Sequence, residues 1–93
     1  MKKYEIMTIA HISLGEKNTT KLSNAVKDLI SSNKGTVLNS DVWGKRKFAY
    51  EIDHESEGYY EVITFEMAPE SVAIFKQKLN LLEGLVRYLI STV

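Results

Sequence analysis

Three consecutive cations, Lys45, Arg46 and Lys47, interrupt the stretch "WGKRKFAYEI", which otherwise has the apolar content of a β-strand. The chain around them is electrically balanced, with 12 basic and 12 acidic side chains among its 93 residues. Together with Lys2 and Lys3 these residues suit the capture of a polyanion. A phosphate backbone responds to local positive charge, because each neutralised phosphate releases condensed counterions, and the total charge matters less. Lysine meets a phosphate as a point charge, whereas Arg46 and Arg87 can each donate two parallel hydrogen bonds. A plainer use also exists, since charges along a strand edge keep sheets from pairing with one another. The carboxylates of Glu51, Asp53, Glu55, Glu57 and Glu61 gather just after the cations, so the linear arrangement predicts a molecule with a basic end and an acidic end. Little else in the chain could do chemistry. The absence of cysteine removes disulfides, thiolate metal sites and cysteine nucleophiles, and fits a reducing cytoplasm. His11 and His54 stand alone, with no serine, histidine and acid arrangement to join them, and no metal-carrying constellation remains.

The elements that position these residues follow from periodicity. One domain over 1–93 is expected, because the length leaves no room for a second core. A composition of 44% hydrophobic and 26% charged residues with a single proline is that of a globular chain and not of a disordered tail. The start, "MKKYEIMTIAHI", is basic then apolar like a secretory signal, but Glu5 and His11 interrupt it and no small-residue cleavage site follows. It reads instead as a first strand from Lys3 to about Ile12. No run approaches the roughly 18 apolar residues of a membrane span. Ser13 and Glu16 have the spacing of a capping box and predict a helix start there, with Asn18 the later alternative. Leu22, Ala25, Val26, Leu29 and Ile30 then recur at three and four, the stripe of an amphipathic helix, and Gly35 is placed to end it in the left-handed conformation. An extended stretch runs from Thr36 to Ile52, "DHESEG" reads as a polar turn and "YYEVITFEM" as a strand. Pro69 suits the first turn of a second helix striped by Val72, Phe75, Leu79 and Leu82. Gly84 stops that helix, and "LVRYLISTV" is a last strand.

The order β-α-β-β-α-β predicts an α+β, ferredoxin-like split β-α-β sandwich, in which two right-handed crossovers place both helices on one face of a four-stranded antiparallel sheet. The other face is left bare. Side chains alternate along a strand, so parity assigns each residue a face. Ile63, Phe65 and Met67 go beneath the helices with Ile6, Thr8 and Ala10 and with Val86, Tyr88 and Ile90. Tyr60, Val62 and Thr64 go to the open face with Glu5, Met7 and Ile9 and with Leu85, Arg87 and Leu89. Met7, Ile9, Tyr60, Val62 and Leu89 make that face a candidate surface for a protein partner, although apolar atoms are ordinary on any protein surface. Tyr4 and Tyr50 either stack on a ligand or finish the core.

The stretch "WGKRKFAYEI" resembles the W-G-(R/K)-R-x-L-A-Y-P-I signature of bacterial small-subunit ribosomal protein number six, matching it at Trp43, Gly44, Lys45, Arg46, Ala49, Tyr50 and Ile52. The start "MKKYEI" is similar to that family's M-(R/K)-x-Y-E opening, and Arg87 in "LVRYLI" falls where the family places an arginine in its last strand. Glu51 stands in place of the usual proline and Phe48 in place of leucine; losing the proline restores a backbone donor, so the local path of the strand need not follow the family's. The chain ends at Val93 without the long polar or acidic tail some members carry, and no role for such a tail is expected.

That resemblance implies a structural protein of the small ribosomal subunit, cytoplasmic with the ribosome and acting in translation. No catalysis, cofactor, small-molecule substrate or membrane is implied. The family binds the central domain of small-subunit ribosomal RNA as a heterodimer with small-subunit ribosomal protein number eighteen. Carried over by position, its RNA contacts fall on Lys2, Lys3, Lys45, Arg46 and Arg87; Lys47 sits at a variable position and joins them for its charge. The expected device is an extended arm, twisted and partly unpaired, that leaves the sheet beyond its neighbour and presents consecutive cations to one concave RNA surface. An RNA-recognition motif shares the topology, but Glu57 stands where its strand needs a cation, and Tyr60 and Glu61 occupy the small and aromatic slots. A metal-carrying domain of the same topology lacks its usual CxxC.

Overall fold

Ile6, Ile63, Phe65 and Met67 are wholly buried, and with Tyr4 they form the floor onto which Val26, Ile30, Phe75 and Leu79 pack from above. Each such apolar side chain contributes about 1.5–3 kcal/mol by leaving water. The structure, a computed structural model, describes residues 2–11, 15–52 and 55–93, with the side chains at 16, 46–52, 55, 56 and 86 outside that description. Its elements are β1 (Lys2–His11), α1 (Gly15–Ser32), β2 (Thr36–Ile52), β3 (Glu55–Met67), α2 (Pro69–Leu79) and β4 (Leu85–Thr92). The strands pair antiparallel in the order β2-β3-β1-β4, and both helices lie on the same side, so the fold is the ferredoxin-like split β-α-β sandwich.

Parity assigns the core correctly over β1 and β3. Ile6, Thr8 and Ala10 are buried opposite Ile63, Glu61 and Tyr59, and Tyr4 stacks on Phe65 with ring centroids 5.7 Å apart, which makes Tyr4 a core residue. Parity fails at the start of β4. There Ile9 pairs with Arg87 but Ala10 pairs with Leu85, so a bulge skips one residue. Leu85, expected on the open face, therefore packs against the core. A bulge puts two residues opposite one and flips every face beyond it.

The helix ends also differ in detail from the expectation. Helix α1 begins at Gly15, before the alternative start at Asn18, while Ser13 of the expected capping box lies outside the described residues. At its far end the left-handed residue is Lys34, with φ of 64°, and not Gly35. The Lys34 amide donates to the Ser31 carbonyl at 3.1 Å and the Gly35 amide to the Ile30 carbonyl at 2.8 Å, the paired bonds of a Schellman cap. Gly35 is needed for a different reason: a Cβ there would lie 2.8 Å from Ile30 Cγ2 and 2.9 Å from the carbonyl oxygens of Glu66 and Ile30. Helix α2 starts with Pro69 in its first turn as expected but ends at Leu79, where Asn80 caps it; Gly84 belongs to the following turn and does not stop the helix.

Adjacent substitutions at this cap should act in opposite directions. Gly35→Ala forces a methyl group into two backbone carbonyls and should cost about 1–3 kcal/mol, as overpacking does. Lys34→Gly removes the left-handed strain and should stabilise by up to about 1 kcal/mol. Urea denaturation of the two variants reads both signs.

Candidate functional site

Strand β1 stops at His11, opposite Gly58, but β2 and β3 continue past it. Arg46 pairs with Gly58, Lys47 with Glu57 and Ile52 with Glu55, so the β2–β3 hairpin extends beyond the end of β1. This arm differs from the expected one in being paired along its cationic stretch, and β3 begins at Glu55, inside the segment read as a turn. Its irregularity comes later, where five steps of β2 between Lys47 and Ile52 face two steps of β3. That interval contains Glu51, the residue standing where the signature has proline. Lys45 keeps 58% of its side chain exposed, and its Nζ lies 3.9 Å from Oε2 of Glu57. A long, exposed ion pair of this kind is worth little and yields readily to salt or to a competing anion. The side chains of Arg46 and Lys47, like that of Tyr50, lie outside the described residues.

The other sequence-predicted cations are not gathered around this arm. Lys2 and Lys3 pair with Met67 and Glu66, at the opposite end of the sheet from the Lys45–Tyr59 pair. At about 3.3 Å per strand residue the separation along β1 is roughly 25 Å. Arg87 sits on the far edge strand, opposite Ile9 and level with Tyr60. The expected division into a basic end and an acidic end therefore fails. Glu57 stands beside Lys45, and Glu61 is buried on the helix side of the sheet. There the Ser40 hydroxyl donates to Glu61 Oε2 at 2.7 Å and Lys27 Nζ lies 3.5 Å from the same oxygen, so the carboxylate ties α1 to β2 and β3. Linear proximity misled because successive strand residues go to opposite faces and antiparallel strands return to the same end.

The helix-free face is built in cross-strand rows. One row runs Asp41, Val62, Met7, Leu89; the next runs Asn39, Thr64, Glu5, Ser91; a third joins Gly44, Tyr60, Ile9 and Arg87. Val62, Met7 and Tyr60 are half-buried, Leu89 is exposed, and Ile9 is buried between its cross-strand neighbours. All five residues expected on this face are on it. Trp43 joins them for a reason that parity alone did not show. Val42 pairs with Glu61 and Gly44 with Tyr60, leaving Trp43 in a bulge, and Gly44 takes a φ of 76° that suits glycine. The indole then lies nearly parallel to the Tyr60 ring, at 6° and 6.4 Å between centroids, and its Nε1–H donates to Asp41 Oδ2 at 3.2 Å. The Trp-Gly pair in the sequence was the available signal for this device.

A two-layer α+β domain with one covered and one open sheet face, and a hairpin carrying cations past its edge, is a scaffold that presents surfaces. The fold alone does not specify its use: the C-terminal domain of the MgtC protein from Mycobacterium tuberculosis has it too, at TM-score 0.64 over 100% of this chain and 88% of that one but only 12% identity. Sequence is more specific. The profile of Ribosomal protein S6 matches residues 3–92. The small ribosomal subunit protein bS6 of Fusobacterium nucleatum is 39% identical over 90 residues, covering 97% of this chain and 96% of that protein. The bS6 of Clostridium perfringens is 41% identical with 97% and 95% coverage. The crystal structure of 30S ribosomal protein S6 from Thermotoga maritima superposes with TM-score 0.94 at 28% identity, over 99% of this chain and 87% of that one. The chain belongs to the ribosomal protein S6 family. It is a structural, non-enzymatic constituent of the small ribosomal subunit, located at the ribosome. Among the described residues no helix is long and apolar enough to cross a membrane.

The two faces should respond differently to truncation. Trp43→Ala, at a residue 43% exposed, should cost no more than about 1.5 kcal/mol, the scale of an aromatic pair. Phe65→Ala in the core should cost about 3–5 kcal/mol. Chemical denaturation of the two variants measures the contrast.

Proposed function

We propose that this protein binds the central domain of small-subunit ribosomal RNA through the β2–β3 hairpin and, on its open sheet face, pairs with small-subunit ribosomal protein number eighteen, in the cytoplasm. The observation that carries the reading is the hairpin itself: it takes Lys45, Arg46 and Lys47 up to and past the end of β1, clear of the sheet's centre. Folded RNA is gripped largely through phosphates, hydroxyls and shape, which calls for projecting cations and not for a base-reading platform. Arg87, level with the root of the hairpin, extends the same end of the molecule across the sheet. Lys2 and Lys3, at the other end, would meet a separate segment of the RNA. The open face supports the protein half of the reading, because Met7, Val62 and Leu89 form an apolar row that the molecule's own helices do not cover.

Replacing Lys45 and Arg46 together by glutamate should weaken binding to a central-domain RNA fragment by tenfold or more and lower the slope of log K against log salt by about 1 for each phosphate no longer neutralised. Thermal stability should change by less than about 1 kcal/mol, as for exposed charges generally. Filter binding across a salt series checks the first, and a melting curve the second. Native RNA affinity in the double variant would remove the hairpin from the interaction. Val62→Asp should instead abolish pairing with protein number eighteen in a pull-down while leaving RNA binding by the free protein intact. A collapse of folding in that variant would contradict the face assignment.

A further inference from the structure

The open face carries a trough of about 300 Å³ whose walls include Met7, Trp43, Val62 and Leu89 and whose charged groups are Glu5 and Asp41, with no cation among its described lining residues. Asp41 is at the β2 edge and accepts the Trp43 indole hydrogen bond. Glu5 is different. It lies on β1, an interior strand, in the row between Thr64 and Ser91, and among the described residues its carboxylate has no hydrogen-bond or ion-pair partner. In the free protein its exposure makes this costless. A partner that covers the apolar row one step away must also cover Glu5, and a carboxylate taken out of water without a counter-charge is heavily penalised.

We propose, building on the reading of this face as the partner surface, that the partner inserts a lysine or arginine flanked by apolar side chains, and that Glu5 is the counter-charge that selects it. The same carboxylates repel phosphate, which keeps RNA out of the trough and leaves it to the hairpin and to Arg87 on the edge strand. They also disfavour a partner that offers only apolar side chains, so the trough discriminates as well as binds. Asp41 adds negative potential at the rim, where a charge acts mainly on the rate of encounter.

The test uses the full chain and purified small-subunit ribosomal protein number eighteen, with affinity and dissociation rate measured for Glu5→Gln, Asp41→Asn and Val62→Asp. Glu5→Gln should weaken the complex at least about thirtyfold through faster dissociation, the behaviour of a buried charge pair losing one member. Asp41→Asn should mainly slow association and reduce its salt dependence. Native affinity for Glu5→Gln together with lost binding for Val62→Asp would overturn the counter-charge while leaving the face as the partner surface. Native affinity in all three variants would overturn the face assignment as well. Self-association of Glu5→Gln alone, with partner affinity unchanged, would show that the carboxylate serves only to keep copies of this chain apart, and would equally overturn the proposal.

Discussion

Two helices on the same side of a four-stranded sheet leave its other side uncovered, and everything else about this molecule follows from that imbalance. Strand β3 shows it most directly. Ile63, Phe65 and Met67 are fully buried beneath α1 and α2, whereas Tyr60, Val62 and Thr64, alternating with them, are only half-buried. The period of two forces this division, because no strand residue can serve both faces. Burial of the inner set holds the sandwich together; the outer set lies on the face that the helices do not cover.

Bulges adjust what parity alone would dictate, and both important ones lie toward the hairpin end of the sheet. At Gly44 the bulge releases Trp43 onto the open face, against Tyr60. Between Arg87 and Leu85 it turns Leu85 into the core, closing the sandwich where β4 begins. The hairpin itself needs no such correction from Gly44 to Lys47, where it is regularly paired. A paired hairpin is stiffer than a loose arm, so it would lose less conformational entropy on binding a partner.

Element order, strand limits for β2, the core stripes and the open-face positions of Met7, Ile9, Tyr60, Val62 and Leu89 were legible in the residues, because each rests on a period of 2 or 3.6 that survives in three dimensions. The failures share a cause. Leu85 and Trp43 depend on single-residue bulges, which leave only a local trace such as the glycine after Trp43. The left-handed turn at Lys34 displaced the expected one at Gly35 because close approach of Ile30 and Glu66, a tertiary fact, had the first claim on glycine. Charge distribution is the least legible feature. The sequence places Lys2 and Lys3 at one basic end with Lys45 to Lys47, yet the antiparallel sheet puts them at opposite ends, and Glu61, expected at an acidic end around the turn, is buried with Ser40 and Lys27.

The molecule emerges as a scaffold with two separated surfaces: a projecting hairpin that carries the Lys45–Lys47 cations on one strand, and an acidic-edged apolar face. Belonging to the ribosomal protein S6 family places it in the small subunit, and the proposal gives RNA and the partner protein separate surfaces of one chain. The most direct measurement is the affinity for a central-domain RNA fragment with and without saturating protein number eighteen. Separate surfaces predict affinity that is unchanged or improved, by about 5- to 150-fold if 1–3 kcal/mol of coupling links them. Mutual exclusion, with the partner lowering RNA affinity in proportion to its own occupancy, would contradict the account.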